Sequence, residues 1–203
     1  MRVIVRCAAI VLVPCFIAVG AWADGFKPGP GWVRLFDGKS LNGWKPYGRG
    51  ESAWRAEDGV LANPRRSVNL YTEKTFRSFQ LHVEFKINSR GNSGVYLQGR
   101  KEVQILDSFG KDDDELKHWD CGGIYSRYAP STNASKAPGE WQTLDVTVRG
   151  DTVTVVLNGK TVIDGKEVKG ETGGGLKGRQ SAVMLQGDHA PVWYRNLWIK
   201  PLE

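Results

Sequence analysis

Cysteine and histidine are scarce in this chain, three of each in 203 residues, and that scarcity closes several routes to chemistry. Cys7 and Cys15 belong to an N-terminal stretch read below as a removable leader. Cys121 is then the single thiol of the remaining chain, which excludes an intramolecular disulfide. No basic residue stands beside it in Asp120-Cys121-Gly122-Gly123 to activate it, so it reads as a buried or inert thiol. His82, His118 and His189 are far apart and show neither HxH nor HxxxH spacing, so no metal cluster is read from them. The run Asp112-Asp113-Asp114-Glu115 lacks the alternating ligands and the glycine of an EF-hand loop and reads as a solvated acidic turn. Ser93 lacks the G-x-S-x-G setting of a hydrolase nucleophile. Cations are scattered, with Arg65-Arg66 as a pair rather than a patch, which excludes a nucleic-acid footprint. The apolar run Cys7–Ala18 is too short to span a bilayer.

What is present begins with an export signal. Arg2 and Arg6 precede that apolar run, and Ala21-Trp22-Ala23 forms a small-x-small cleavage site, so residues 1–23 are expected to be a secretory signal peptide. Pro14 directly before Cys15 argues against lipoprotein processing, which needs a small residue there. The mature chain is expected to start at Asp24 in the periplasm or medium. It keeps 180 residues, 24–203, enough for one domain with a substantial core. Arg2 and Arg6 leave with the leader and no acidic residue does, which lowers the net charge from +6 to +4.

Beyond the leader an apolar period of 3.6 is nearly absent, and a period of two dominates. Phe79–Ile87 alternates without a fault, directing Gln80, His82, Glu84 and Lys86 to one face. Leu144, Val146 and Val148 repeat the pattern, Gly150-Asp151 turns the chain into Val153, Val155 and Leu157, and Asn158-Gly159 turns it again, as in successive hairpins. Further strands are predicted over 32–36, 60–62, 68–72, 94–99, 102–106, 123–126, 160–163, 181–186 and 192–200. A short helix is predicted over Lys111–Trp119, and surface loops over 110–120, 129–139 and the glycine-rich 170–178. About a dozen short strands separated by Gly, Asn and Asp predict an all-β, two-sheet sandwich.

Two adjoining segments carry the polar groups of greatest interest. On a strand, Glu102 and Gln104 share one face while Val103 and Ile105 take the other, and Asp107 falls just past the strand end or beyond a bulge. Likewise Tyr96 and Gln98 face away from Val95 and Leu97. Tyr, Gln and carboxylate on neighbouring strands suit a sugar, although a solvated sheet face has the same alternation. His82 beside Glu84 reads as a surface pair.

Taken together and in order, Leu35–Trp44, Leu70–Lys74 with Phe79–Phe85, Gly91–Leu97, Glu102–Asp107, Gly139-Glu140-Trp141, Asn158-Gly159, Leu185-Gln186 with His189, and Tyr194–Leu202 resemble the 3-keto-disaccharide hydrolase domain family. The resemblance covers nearly the whole mature chain. It implies a concanavalin A-like or laminin G-like jelly roll, and cleavage of glycosides whose glucose unit already carries a ketone at C3. Such a ketone acidifies the C2 hydrogen, so a modest base can remove it and the C1 substituent is then lost by elimination, followed by hydration. The resemblance implies Glu102 or Asp107, or else His189, as the catalytic base that abstracts the proton. It implies Asn92, Tyr96, Gln104, Tyr125, Trp141, Gln186 and Arg195 as substrate-binding residues, and Arg195 or a bound divalent cation as the stabiliser of the enolate. The chain departs from the family pattern in having Gln98 for Arg and Gln142 for Asn, and in stretching a Gln-x-His segment to Gln186-Gly187-Asp188-His189. The alternative reading is a lectin-like carbohydrate-binding module without chemistry.

Overall fold

The structure, a computed structural model, describes residues 26–177 and 181–203. The expected leader and its cleavage site lie outside the described residues. Thirteen strands carry the described chain: β1 (Val33–Arg34), β2 (Trp44–Tyr47), β3 (Arg55–Glu57), β4 (Val60–Asn63), β5 (Asn69–Thr75), β6 (Phe79–Ile87), β7 (Asn92–Leu97), β8 (Lys101–Leu106), β9 (Gln142–Arg149), β10 (Thr152–Leu157), β11 (Lys160–Glu167), β12 (Ala182–Leu185) and β13 (Val192–Pro201). They form two antiparallel sheets. The larger has the order β11-β10-β9-β6-β13-β4-β3 with β1 also paired to β13, and the smaller has the order β2-β5-β12-β7-β8. The chain is an all-β jelly-roll sandwich of the concanavalin A-like kind. Among the described residues no helix is long and apolar enough to cross a membrane.

The core lies between the sheets and follows from the period-two pattern. Phe79, Leu81, Val83, Phe85 and Ile87 of β6 are each at most 1% exposed, and they meet Val95, Leu97, Val103, Ile105, Val183 and Leu185 from the smaller sheet. Full burial of each such side chain contributes about 1.5–3 kcal/mol. The opposite face of the smaller sheet therefore carries Asn92, Gly94, Tyr96, Glu102, Gln104 and Met184, and it is this face that a ligand can reach.

Several local expectations are corrected. The helix over Lys111–Trp119 shrinks to one 3-10 turn at Asp113–Glu115, because Leu116 is already extended at φ −64° and ψ 138° and the acidic turn has no apolar stripe to bury. Segment 123–126 forms no strand but two isolated bridges, from Ile124 to Val103 and from Ile124 to Tyr128, and the strand over 32–36 is reduced to Val33–Arg34. Strand β2 contains Pro46, which obscures it in the sequence. It is tolerated because β2 is at the edge of its sheet, pairing only with β5. His82 and Glu84 are not a surface pair: they are 3% and 4% exposed.

Candidate active site

The hairpin β7–β8 sets the site. Gln98 and Gly99 at its tip both have positive φ, 54° and 69°, the conformation that a tight hairpin with the native twist demands. The resulting register places Tyr96 opposite Glu102 and Gly94 opposite Gln104. The backbone of Glu102 and Gln104 bonds away from β7. Tyr125 N–H donates to Glu102 O, Gln104 N–H to Gly123 O, and Gly122 N–H to Gln104 O. Tyr96 and Glu102 thus form a pair without mutual backbone hydrogen bonds, the kind whose side chains approach most closely. These same bonds cover the outer edge of β8 and deliver Tyr125 beside Glu102.

The Tyr96 hydroxyl donates to Glu102 Oε2 at 2.8 Å, and Gln186 Nε2 lies 3.3 Å from the Tyr96 hydroxyl oxygen. A cleft of about 480 Å³ opens over this pair, lined by Asn92, Gln104, Tyr125, Asp188 and His189 among others. That volume falls in the range of sites for small ligands. The residues on this face are also more buried than a solvated sheet face allows, Glu102 at 4% and Gln104 at 5%. The covering is a strap, Thr172–Lys177. Glu102 N–H donates to Thr172 Oγ1 at 2.9 Å, Leu176 N–H to Gly99 O at 2.6 Å, and Lys177 N–H to the Tyr47 hydroxyl at 3.2 Å. Three successive glycines, at φ 121°, 60° and 79°, let the strap lie directly on the aromatic rings. A Cβ at Gly174 would come within 2.6 Å of the Tyr96 hydroxyl oxygen, and one at Gly173 within 3.3 Å of the Tyr125 ring.

Electrostatics follow from this enclosure. Burial pushes the Glu102 carboxyl up to about 7, opposed by the Tyr96 hydrogen bond and aided by the negative charge of Asp188. Tyr96 is pushed far above the usual phenol range by the same burial and by Glu102. At the cleft mouth, His189 Nδ1 and Asp188 Oδ1 are 2.8 Å apart. Asn92 Oδ1 and Gln186 Oε1 are buried and meet no hydrogen-bond donor among the described residues, so both are available to ligand hydroxyls.

Of the residues expected at the site, the cleft brings together Asn92, Tyr96, Glu102, Gln104, Tyr125, Gln186 and His189. The other three lie elsewhere. Asp107 N–H donates to Gly91 O, and its Oδ2 accepts from Arg90 N–H at 2.8 Å, so it closes the turn between β6 and β7, just past the end of β8. Arg195 and Trp141 lie with the larger sheet, where the Arg195 guanidinium centre lies 4.2 Å from the Trp141 ring centroid. Arg195 Nε also donates to Glu84 Oε2 at 2.6 Å, and Asn196 Nδ2 donates to Glu84 Oε1 at 2.7 Å. Burial alone would lift the Glu84 carboxyl, but His82, whose Nε2 is 3.9 Å away, together with Asn196 and Arg195, holds it down at about 2. His82 Nδ1 is 2.6 Å from Asp145 Oδ1. Burial opposes its protonation, yet Asp145 and Glu84 outweigh burial and raise its pKa. This second cluster is an ionic brace outside the cleft. Gln98 also points elsewhere, donating to Arg77 O.

Residues that sequence reasoning missed are Asp188, Tyr47, Asn69, Lys177 and the strap glycines, all lining the cleft. Asp188 was legible as the extra residue of the stretched Gln186–His189 segment. The expected possibility of a divalent cation meets no group of three or more His, Cys, Asp or Glu side chains suited to a metal among the described residues.

The chain is similar to known proteins over most of its length. A 3-keto-disaccharide hydrolase from Bacteroides thetaiotaomicron is 22% identical over 85% of this chain and 79% of its own length. Two crystal structures of candidate glycosyl hydrolases from Parabacteroides distasonis superpose with TM-scores of 0.68 and 0.69. They are 30% and 27% identical, and the alignments cover 85% of this chain in each case and 84% and 94% of theirs. Residues 31–200 match the sequence profile of the 3-keto-alpha-glucoside-1,2-lyase-like domain, and the chain belongs to that family.

Proposed function

We propose that this chain cleaves glycosides whose sugar ring carries a ketone at C3, and that Glu102 is the base that removes the proton from C2. One observation carries the reading: a buried carboxyl on the cleft floor, lifted to about 7, matched to taking a proton from a weakly acidic carbon near neutral pH. Glu102 takes the C2 proton, and the bonding pair passes into an enolate with its charge on the C3 oxygen. Collapse of the enolate restores the ketone, forms the C1–C2 double bond and expels the C1 oxygen. The Asp188-held imidazole of His189 gives that oxygen its proton. Gln104 has its Oε1 engaged by Ile105 N–H at 3.2 Å, which leaves its amide NH2 to donate to the C3 oxygen. Water then adds across the double bond, so the net reaction is hydrolysis. Export of the mature chain from Asp24 is part of the same proposal.

Incubation of the mature protein with 3-keto-trehalose, 3-keto-lactose and their unoxidised parents tests the reading by mass spectrometry. The expected result is cleavage of the keto forms alone, with loss of deuterium from C2-labelled substrate and a fall of about 10²–10⁴-fold in rate for Glu102→Gln. Complete retention of the label in the product under aqueous conditions would overturn C2 abstraction and point to direct displacement at C1. Cleavage of the unoxidised parents would instead assign Glu102 and Asp188 to an ordinary glycosidase pair. Binding without turnover of any keto substrate would favour the lectin-like reading.

A further inference from the structure

Trp119 is one of three large apolar side chains that stay exposed among the described residues, with Val33 and Phe109, and the one of the three that joins an aromatic chain toward the cleft. It is 44% exposed, whereas Trp44 and Trp54 are 4% and 5% exposed in the core. An exposed indole invites a partner, provided that it is held in place. Trp119 is held on both sides. Asp120 is fully buried, its Oδ1 accepting from Ser108 Oγ at 2.8 Å and from Lys111 Nζ at 2.6 Å, and its Oδ2 from Lys117 N–H at 2.9 Å. On the other side His118 Nδ1 accepts from Ser126 N–H at 2.9 Å.

The same residues connect Trp119 to the cleft. The His118 ring meets Trp119 edge-on at 4.5 Å between centroids and Tyr125 edge-on at 5.4 Å. Tyr125 is a wall of the cleft, and its N–H donates to Glu102 O. A continuous aromatic path thus runs from beside the proposed base to a solvent-facing indole. Its loop is registered to the strand that carries that base.

We propose that Trp119 is the platform of an outer subsite that stacks the ring of the leaving group, while the keto sugar occupies the inner cleft over Glu102. The inference rests on the glycoside reading of that cleft. The chemistry recognised is a ring with an apolar face, which a second pyranose or an aromatic aglycone can supply.

Two measurements test the subsite. The first compares 3-keto-lactose, phenyl 3-keto-glucoside and methyl 3-keto-glucoside on wild type, Trp119→Ala and Trp119→Phe. Trp119→Ala should raise the ratio of KM for the disaccharide over KM for the methyl glycoside about tenfold, roughly 1.4 kcal/mol, and Trp119→Phe should restore most of it. A parallel change with the phenyl glycoside shows that an aromatic aglycone is accepted too, and a change confined to the disaccharide assigns the platform to a second sugar. The second needs no turnover: in ¹H–¹⁵N spectra the Trp119 indole signal, identified by its loss in Trp119→Phe, should shift with lactose and stay in place with methyl glucoside. A shift with no cleavage of any keto substrate would sustain the subsite while the proposed reaction fails. An unchanged KM ratio overturns the subsite, as does a still indole signal. A Trp119→Ala variant that alters only the protein's mass in light scattering overturns it in favour of a protein contact.

Discussion

Gly94 lies against the Glu102 carboxyl: a Cβ built there would stand 3.0 Å from Glu102 Cγ and closer still to Oε1. The absent side chain is the space the carboxyl occupies. Gly94→Ala is therefore expected to swing Glu102 away from the Tyr96 hydroxyl and to lower kcat at least 10-fold, since a displaced base loses reach to its proton. Circular dichroism should show the sandwich intact. Full activity in that variant would show that Glu102 has freedom the structure does not give it.

The lifted Glu102 carboxyl predicts a pH-dependent stability. In the unfolded chain it ionises near 4.5, while in the folded chain it stays protonated to about 7. The folded state thus holds the extra proton between these values, and stability falls as pH rises from about 4.5 to 7. Glu102→Gln removes this penalty. Its melting temperature should match wild type near pH 4 and exceed it above pH 7, by the equivalent of roughly 3 kcal/mol. Equal melting temperatures across that range would show a carboxyl of ordinary acidity.

Tyr96 and Asp188 act on Glu102 in opposite senses. The Tyr96 hydrogen bond favours the carboxylate and Asp188 disfavours it. Because the proposed reaction needs the ionised base, the acid limb of kcat/KM against pH should move up in Tyr96→Phe and down in Asp188→Asn. Two shifts of the same sign would contradict the assignment.

The Arg195–Glu84 brace predicts a loss confined to stability. Arg195→Ala strands a buried carboxylate and removes the stack on Trp141. It should cost about 3 kcal/mol by urea denaturation, the low end for breaking a buried pair, because Arg195 itself is partly exposed. Turnover by the folded fraction is expected to stay within about twofold. A selective fall in kcat without destabilisation would return Arg195 to the site.

Export predicts that mass spectrometry of protein recovered from the periplasm or medium finds Asp24 as the first residue. An intact Met1 or Arg2 would contradict it.

The parity of Val103 and Ile105 against Glu102 and Gln104 was enough to place the site's strand, because a strand with one face in a core has no freedom to rotate. The same parity could not reveal that its outer face is covered too. That depends on a strap some 70 residues away in sequence, tied down by Thr172 and lacking any hydrophobic pattern. Arg195 and Trp141 were misplaced for a related reason. Alternation says which residues share a face of one strand but not which of two sheets the strand joins. Asp107 was legible as lying past a strand end, and only the turn at Arg90 shows what it serves there.

The strap has an implication for how sequences of this kind can vary. Glycine-rich connections ordinarily tolerate substitution, since little packs against them. Here Gly174 combines a left-handed backbone with contact against the Tyr96 hydroxyl, so a side chain would meet both a backbone penalty and a collision. The stretch with least chemistry of its own would then rank among the least mutable in a saturation library scored for turnover, while in the exposed acidic turn only Asp113, which accepts from Thr132 Oγ1 and Asn133 N–H, resists change and Asp112, Asp114 and Glu115 accept nearly any polar residue. A relative that keeps the fold but fills this glycine is expected to lose the enclosure of the Glu102 carboxyl, so one backbone position would control the proposed base without touching it.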